Sequence, residues 1–464
     1  MSFNFIFLFF YIIIKTECFI KIPFIYLANK SYKNKTPKNI ISYILDLKMF
    51  GLLEIGTPKQ LCHIPINFGS NTFFLPEKSS FHYDIKYNIN LYDNRNSSSF
   101  QIIKEEDTYE GENFLDAYYV NDIIYFGEKK ANLDFYLTTS YFYPQLGGLG
   151  LQLYPSNNEN TATPNIDKTF LRKIKLSGLG NNYIWSVFYD EITNNITNIK
   201  GYLLIGDYPH LSINYPNNDK YNYSLNSIDA VVYNKKIIQT KFLMQNVQII
   251  KNENVLLNYN EYFYVNIDYN FGGIAAPEQF KIYFEENIFN NYNFCHKDNV
   301  SIISTYAFYY CDNNENVINN LKKIFPIIKM ENKILNQSFI IDIKDLLYIE
   351  GDYVFILLIF QNDIDEWKLG IPFVQKYQFS INEDSKKIYF YKKIELNNDN
   401  IRKNAKNNNI YNILIIAFCI ILFISGIIMG ICLYYKNIRK KRKNELDENY
   451  EYVINDETNG EIIN

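Results

Sequence analysis

With 464 residues and a formal net charge of −4, the chain is long enough for two domains of ordinary size and has no basic field, so nucleic acid is not an expected partner. Its hydrophobic fraction of 47% is that of a globular protein, and its aromatic fraction of 17% is high. The four histidines, His63, His82, His210 and His296, show no metal-ligand spacing, so neither a metal nor any other cofactor is expected.

In chain order, residues 1–18 contain the apolar stretch Phe3 to Ile14, too short to span a bilayer and followed by Lys15, and read as a signal peptide. Residues 19–42 are polar and Lys-rich and read as a linker or short pro-segment. From residue 43 onward, short runs rich in Ile, Val, Tyr and Phe alternate with Asn/Asp/Gly/Ser turns, as in Asp122 to Gly127 and Gly201 to Gly206. That pattern predicts an all-β fold. Residues 207–225 are turn-rich and divide an N-terminal part, 43–206, from a C-terminal part, 226–397.

An Asn-rich stalk, 398–412, leads into Ile413 to Tyr435, an uncharged and mainly apolar run of 23 residues. A bilayer core needs about 20, so this run predicts a transmembrane helix with the membrane as its partner. Six basic residues follow it (Lys436, Arg439, Lys440, Lys441, Arg442 and Lys443), against Arg402, Lys403 and Lys406 before it. The asymmetry predicts a single-pass type I membrane protein of the secretory pathway or cell surface with a cytoplasmic tail, 436–464. Gly426 and Gly430 form a GxxxG spacing that offers a dimerisation face.

Of the six cysteines, Cys18 lies near the signal and Cys419 and Cys432 in the apolar run, leaving Cys62, Cys295 and Cys311. In an oxidising compartment Cys295 and Cys311 are the plausible disulfide, closing a short loop worth about 3 kcal/mol. Cys62 is expected as a buried free thiol, because its neighbour His63 points to the opposite face of a strand and cannot serve it as a base. Sequons at Asn29, Asn34, Asn96, Asn195, Asn222, Asn299 and Asn336 mark the chain as a glycoprotein candidate.

Five segments carry the functional reading. Residues 51–76 contain Ile55-Gly-Thr-Pro-Lys-Gln60, a strand, Asn67-Phe-Gly-Ser70 and an apolar run ending at Pro76. Then come Leu146 to Leu151, the pair Ile184 to Tyr189 with Gly201 to Gly206, Asn266-Ile-Asp268-Tyr-Asn-Phe271 running to Pro277, and Trp367-Lys-Leu-Gly-Ile371. In this order the five resemble the landmarks of the pepsin-like aspartic proteases (peptidase A1). The resemblance implies a two-lobed acid-protease fold with a cleft between the lobes, in which Asn67 and Asp268 occupy the two catalytic positions. It also implies that Phe68, Gly69, Tyr269, Asn270 and Phe271 line the cleft, with Tyr109 as the tyrosine of a hairpin that closes over substrate.

Aspartic-protease chemistry needs two carboxyl groups sharing one proton, one acting as base and the other as acid. Asn67 can mimic a protonated carboxyl by donating a hydrogen bond, but it cannot exchange a proton near neutral pH. Phe68 and Tyr269 stand where the family has small hydroxyl residues, Asn270 where it has Gly, and Ile371 where it has Asp. The expectation is a catalytically impaired pseudopeptidase that binds extended peptide in its cleft. The alternatives are an active endopeptidase with a non-standard site and a structural surface protein whose cleft is filled.

Overall fold

The computed structural model describes residues 19–28, 36–70, 73–78, 87, 89–104, 117–138, 148–153, 169–190, 199–209, 221–229, 232–233, 236–237, 241–291, 294–301, 305–361, 365–393, 425–426 and 429–442. The chain divides into two compact units, Met1–Ile394 and Glu395–Asn464. In the first half of the larger unit the strands are β1 (Ile20–Ala28), β2 (Leu47–Ile55), β3 (Gln60–Asn67), β4 (Phe73–Pro76), β5 (Gln101–Lys104), β6 (Ala117–Phe126), β7 (Lys129–Thr138), β8 (Gly148–Gly150), β9 (Ile184–Tyr189) and β10 (Lys200–Ile205). The second half begins with β11 (Tyr221–Asp229), the two-residue strands β12 (Val232–Tyr233) and β13 (Lys236–Ile237), β14 (Lys241–Met244), β15 (Asn246–Lys251), β16 (Asn254–Tyr259), β17 (Phe263–Ile267) and β18 (Ile274–Pro277). It continues through β19 (Cys295–Ser301), β20 (Thr305–Asp312), β21 (Ile327–Asn332), β22 (Gln337–Ile341), β23 (Leu347–Glu350), β24 (Tyr353–Gln361), β25 (Trp367–Leu369), β26 (Tyr377–Asn382) and β27 (Lys387–Lys393).

The halves repeat one topology. In a 13-stranded sheet the strands run β2-β3-β8-β4-β7-β6-β5, and in an eight-stranded sheet they run β14-β17-β25-β18-β24-β20-β19. Every neighbouring pair agrees in direction. For example, β3 is parallel to β8 as β17 is to β25, and β4 is parallel to β7 as β18 is to β24. The corresponding strands also follow one chain order. In each half a short strand is thus inserted between the two arms of a strand–loop–strand unit, which fixes the loop at its tip.

Each insertion requires glycine at a specific place. Gly148 adopts φ +127°, and a Cβ there would lie 1.9 Å from the Pro65 carbonyl oxygen. A Cβ on Gly370 would lie 2.0 Å from the Phe271 oxygen.

The fold differs from the sequence-based expectation in three respects. It is not all-β: of the described residues strand accounts for 52% and helix for 23%, with helices at Pro37–Leu45, Phe170–Leu176, Glu278–Asn287 and Glu315–Ile324 among others. Its halves are not separate lobes, because β11, β26 and β27 from the second half join the same sheet as β1–β10. This sharing arises because the apolar faces of β9 and β26 are buried against common neighbours, with Trp185 opposite Ile381 in register and both fully buried.

Third, among the described residues no helix is long and apolar enough to cross a membrane. Of the expected span Ile413 to Tyr435, only 425–426 and 429–435 are described, and the helical run 429–442 continues directly into Lys436, Arg439, Lys440, Lys441 and Arg442. The expected single-pass anchoring therefore has no support in the described structure.

Residues 19–42, expected as a linker or short pro-segment, instead supply a central strand and the start of a helix. In β1, Ile20, Ile22, Phe24 and Tyr26 alternate inward and are buried, in the period-2 pattern of a strand. Pro23 is tolerated because it precedes the β1–β2 ladder, which begins at Phe24, so its missing N–H breaks no bond on that side. The helix Pro37–Leu45 is capped by Thr36, whose Oγ1 accepts from Asn39 N, and starts with Pro at N1. Its buried residues Ile41, Ile44 and Leu45 face the core.

The expected disulfide is present, linking Cys295 on β19 to Cys311 directly opposite on β20. Of the sequons, Asn96, Asn299 and Asn336 are exposed. Asn29, Asn34 and Asn195 lie outside the described residues, as does the side chain of Asn222.

Candidate functional site

The duplicated topology makes Asn67 and Asp268 equivalent by register. Asn67 pairs with Gly150 on β8, one residue beyond the Ile66–Leu149 pair. Asp268 follows the Ile267–Leu369 pair on β25, and its N–H donates to the Leu369 carbonyl at 3.0 Å. The returning strands agree: Phe73 pairs with Leu149 and Ile274 pairs with Leu369, each six residues after the position in question.

Both loops turn on their own side chains. Gly69 N donates to Asn67 Oδ1 at 2.8 Å, and Asn270 N donates to Asp268 Oδ1 at 2.9 Å. Such Asx turns are the short-range use of an Asn or Asp side chain that competes with regular structure.

Beyond these turns the two loops diverge. Asp268 Oδ2 lies 3.6 Å from the Lys368 ammonium, with the two side chains 33% and 21% exposed. Register places Lys368 opposite Ala275, where the first half has Gly148 opposite Phe74. The first loop thus has no room for a side chain where the second carries a cation. Burial alone would lower the lysine pKa, but the Asp268 carboxylate and Tyr306 outweigh it and hold the ammonium above its ordinary value. Lys368 also sits 5.1 Å from the centroid of the Phe271 ring.

A pKa raised in the folded state means that Lys368 contributes stability in full below the unfolded lysine range and loses it as pH rises through the higher folded value. Lys368→Met is therefore expected to lose stability relative to wild type at pH 7, and the gap should close above pH about 11. Paired urea titrations at the two pH values check this. A gap that is constant with pH would show that the ion pair contributes nothing.

Aromatic residues bring the loops together. Phe68 stacks on Tyr269 with ring centroids 4.6 Å apart and packs against Trp185 at 5.4 Å; Trp185 meets Tyr269 edge-on at 5.9 Å. Tyr269 and Phe271 are buried, whereas Asn67 and Phe68 are half-buried and Gly69 is exposed. Burial raises the Tyr269 phenol well above its ordinary pKa, so it stays protonated. Its hydroxyl has no partner among the described residues.

Residues from β1, β2, β9 and the helix Pro37–Leu45 hold the second loop. Tyr26 Oη donates to the Tyr269 carbonyl at 2.7 Å and lies 3.0 Å from Tyr189 Oη, which therefore serves as the donor to Tyr26. Asn270 Oδ1 accepts from Met49 N on β2 at 2.9 Å. A Cβ on Gly272 would lie 1.9 Å from the Ile44 carbonyl, so the helix rests directly on the loop backbone. Ile371 is buried in the helical turn Ile371–Val374, and its N–H donates to the Phe271 carbonyl at 2.8 Å.

The sequence pattern did not identify Lys368, Tyr26, Trp185 or Tyr189 as parts of the site. Lys368 alone carried a signal, since a charged residue within Trp-Lys-Leu-Gly sits beside an otherwise apolar strand. Tyr109 lies outside the described residues.

A buried carboxylate in the first half secures the turn between β2 and β3. Asp122 is fully buried and accepts from Tyr92 Oη and Ser99 Oγ, each at 2.5 Å, and from Ile123 N at 2.7 Å. Ser97 Oγ accepts from Thr57 N, and Gly56 N donates to the Ile123 carbonyl. Asp122 thus secures the Gly56–Pro58 turn, a positioning role.

Cys62 is buried and free, as expected, and burial pushes its thiol up to about 12. His63 Nδ1 instead accepts from Asn90 N at 3.0 Å. Iodoacetamide at pH 8 is expected to leave Cys62 unmodified in the folded protein while the exposed Cys432 reacts, and to alkylate Cys62 in urea, as read by peptide mapping at position 62. Rapid native alkylation at Cys62 itself would show a thiolate that the geometry does not provide. Among the described residues no cluster of His, Cys, Asp or Glu could hold a metal ion.

No protein-family model and no curated protein matches this chain.

Proposed function

We propose that the chain is a catalytically disabled relative of the pepsin-like aspartic proteases that binds extended peptide at its paired loops. The observation that carries this reading is the pairing of Asp268 with Lys368 while the equivalent position holds Asn67. An ammonium beside one carboxylate weakens the like-charge repulsion on which a shared proton depends, and an amide cannot take the second carboxyl's place. Peptide recognition needs neither group, because main-chain pairing gives affinity and side-chain pockets give selectivity. The Cys295–Cys311 disulfide supports an oxidising compartment such as the secretory pathway.

The purified protein, challenged with a diverse peptide library from pH 3 to 7, is expected to retain peptides without cutting them. Cleavage that disappears in Asp268→Ala would overturn the reading in favour of an endopeptidase with a non-standard site. A structural role is the second reading, favoured by the Phe68–Tyr269–Trp185 stack, which occupies the space between the loops. Absence of both cleavage and binding would select it.

A further inference from the structure

The structure separates the three sequons whose asparagine is described and exposed, Asn96, Asn299 and Asn336. Asn96 Nδ2 donates to Asp93 Oδ2 at 3.0 Å, and the hydroxyl of its sequon, Ser98 Oγ, donates to the Thr57 carbonyl at 3.1 Å. A sugar on that nitrogen would crowd Asp93, which is buried. Asn299 and Asn336 are different. Neither side-chain amide has a hydrogen-bond partner among the described residues. Their sequon hydroxyls, on Ser301 and Ser338, belong to exposed residues as well.

Both of these asparagines stand at sheet edges. Among the described residues β19 ends the eight-stranded sheet, and β22 ends the four-stranded sheet β16-β15-β21-β22. On β19, Asn299 and Ser301 share a face, while Val300 between them is buried. Asn299 N donates to Asp298 Oδ1 at 2.7 Å rather than to a neighbouring strand. Asn336 ends the turn 333–336 of the β21–β22 hairpin, with φ +49° and its N–H donating to the Lys333 carbonyl at 3.2 Å. On β22 the Ile340 N–H and C=O both bond Tyr377 Oη, so the backbone there faces away from β21. Alternation directs the Ser338 backbone the same way, with no strand beside it among the described residues. Ile334 in the turn and Ile340 on the strand are both exposed.

We infer that Asn299 and Asn336 are N-glycosylation sites and that each glycan shields an unpaired sheet edge. An open edge is a template for pairing with another chain, and a bulky hydrophilic group beside it blocks that approach. Sequons that arise by chance in an Asn-rich chain bear no relation to sheet edges, whereas these two stand at the last strands of two different sheets. The donor is a lipid-linked oligosaccharide diphosphate. The asparagine nitrogen bonds to the anomeric carbon, the bond from that carbon to the diphosphate oxygen breaks, and the amide loses one proton as the lipid diphosphate leaves. This transfer rests on the oxidising secretory compartment that the Cys295–Cys311 bond supports, and not on peptide binding at the paired loops.

The test expresses the full chain in a eukaryotic secretory host. A peptide N-glycosidase then releases its glycans in heavy-oxygen water, which converts each occupied Asn to labelled Asp. Peptide mapping is expected to find label at 299 and 336 and none at 96. Ser301→Ala and Ser338→Ala should each abolish label at their own sequon, and Ser338→Thr should keep it. By light scattering at equal concentration, Ser301→Ala combined with Ser338→Ala should self-associate more than wild type. Missing label at either position, in a digest that contains the Cys295–Cys311 bond, would overturn the proposal. Loss of label and bond together would overturn the compartment on which it rests. Label at 96 would overturn the selection by the Asp93 contact, and a double variant no more associated than wild type would overturn the shielding of the edges.

Discussion

Replacing Asn67 by Asp is expected to leave peptide-bond hydrolysis undetectable. In a working dyad a positioned acid and base together contribute about 10²–10⁴-fold or more, and the shared proton exists because two like charges cannot both be held close together. Here a carboxylate placed at position 67 would stand at the position equivalent to Asp268, whose charge is already offset by the Lys368 ammonium at 3.6 Å. The repulsion that makes two carboxyls hold one proton is therefore weakened at its source.

On the proposed reading Phe68 and Tyr269 compound the loss, because their stacked rings stand where small hydroxyl side chains would support a dyad. Fluorogenic peptide turnover from pH 3 to 7 is the measurement, with wild type, Asn67→Asp and Asn67→Asp combined with Lys368→Gly compared at equal folded concentration. Turnover by the single variant would show that Lys368 does not neutralise the site. Turnover by the double variant alone would show that Lys368, rather than the aromatic pair, is the principal block.

What was legible in the sequence follows from how local each signal is. The strand–loop–strand units around Asn67 and Asp268 were readable because each is a contiguous run with a Gly or Pro at a fixed offset. The inserted strands β8 and β25 were readable because close backbone approach forces Gly148 and Gly370. The Cys295–Cys311 bridge followed from elimination among the six cysteines.

Other features depend on partners distant in sequence. β1 was missed because Lys30, Lys33, Lys35 and Lys38 dominate the composition of 19–42, although β1 itself carries one charge and its inward set Ile20, Ile22, Phe24 and Tyr26 alternates as a strand does. The Lys368–Asp268 pair spans 100 residues and became evident only when β17 and β25 were seen in register. The sharing of one sheet by both halves rests on β9 meeting β26, which no local period encodes. The apolar run at Ile413 to Tyr435 satisfied a length criterion for a membrane span, whereas the described helix enters the basic residues after Tyr435 without reaching that length.

Two substitutions at Tyr269 should have opposite signs, and the contrast measures how the loops are held. Tyr269→Ala removes a buried ring that stacks on Phe68 and meets Trp185 edge-on, leaving a cavity between the two halves. Truncating a buried aromatic to Ala costs about 3–5 kcal/mol, and the collapse available to Phe68 and Trp185 sets where in that range the cost falls. Tyr269→Phe keeps the ring and removes a buried hydroxyl that has no partner among the described residues. An unsatisfied buried hydroxyl costs about 1–3 kcal/mol, so this variant should be at least as stable as wild type and more stable by about 1 kcal/mol.

The Tyr26 bond is unaffected in both variants, because it is made to the backbone carbonyl of residue 269. Any difference between them therefore comes from the ring and its hydroxyl. Urea denaturation followed by tryptophan fluorescence, with Trp185 reporting directly on the stack, separates the cases. A Tyr269→Phe variant destabilised by more than about 1 kcal/mol would mean that the hydroxyl is satisfied, by an ordered water for instance, and that the paired loops are held by a polar contact as well as by the aromatic stack.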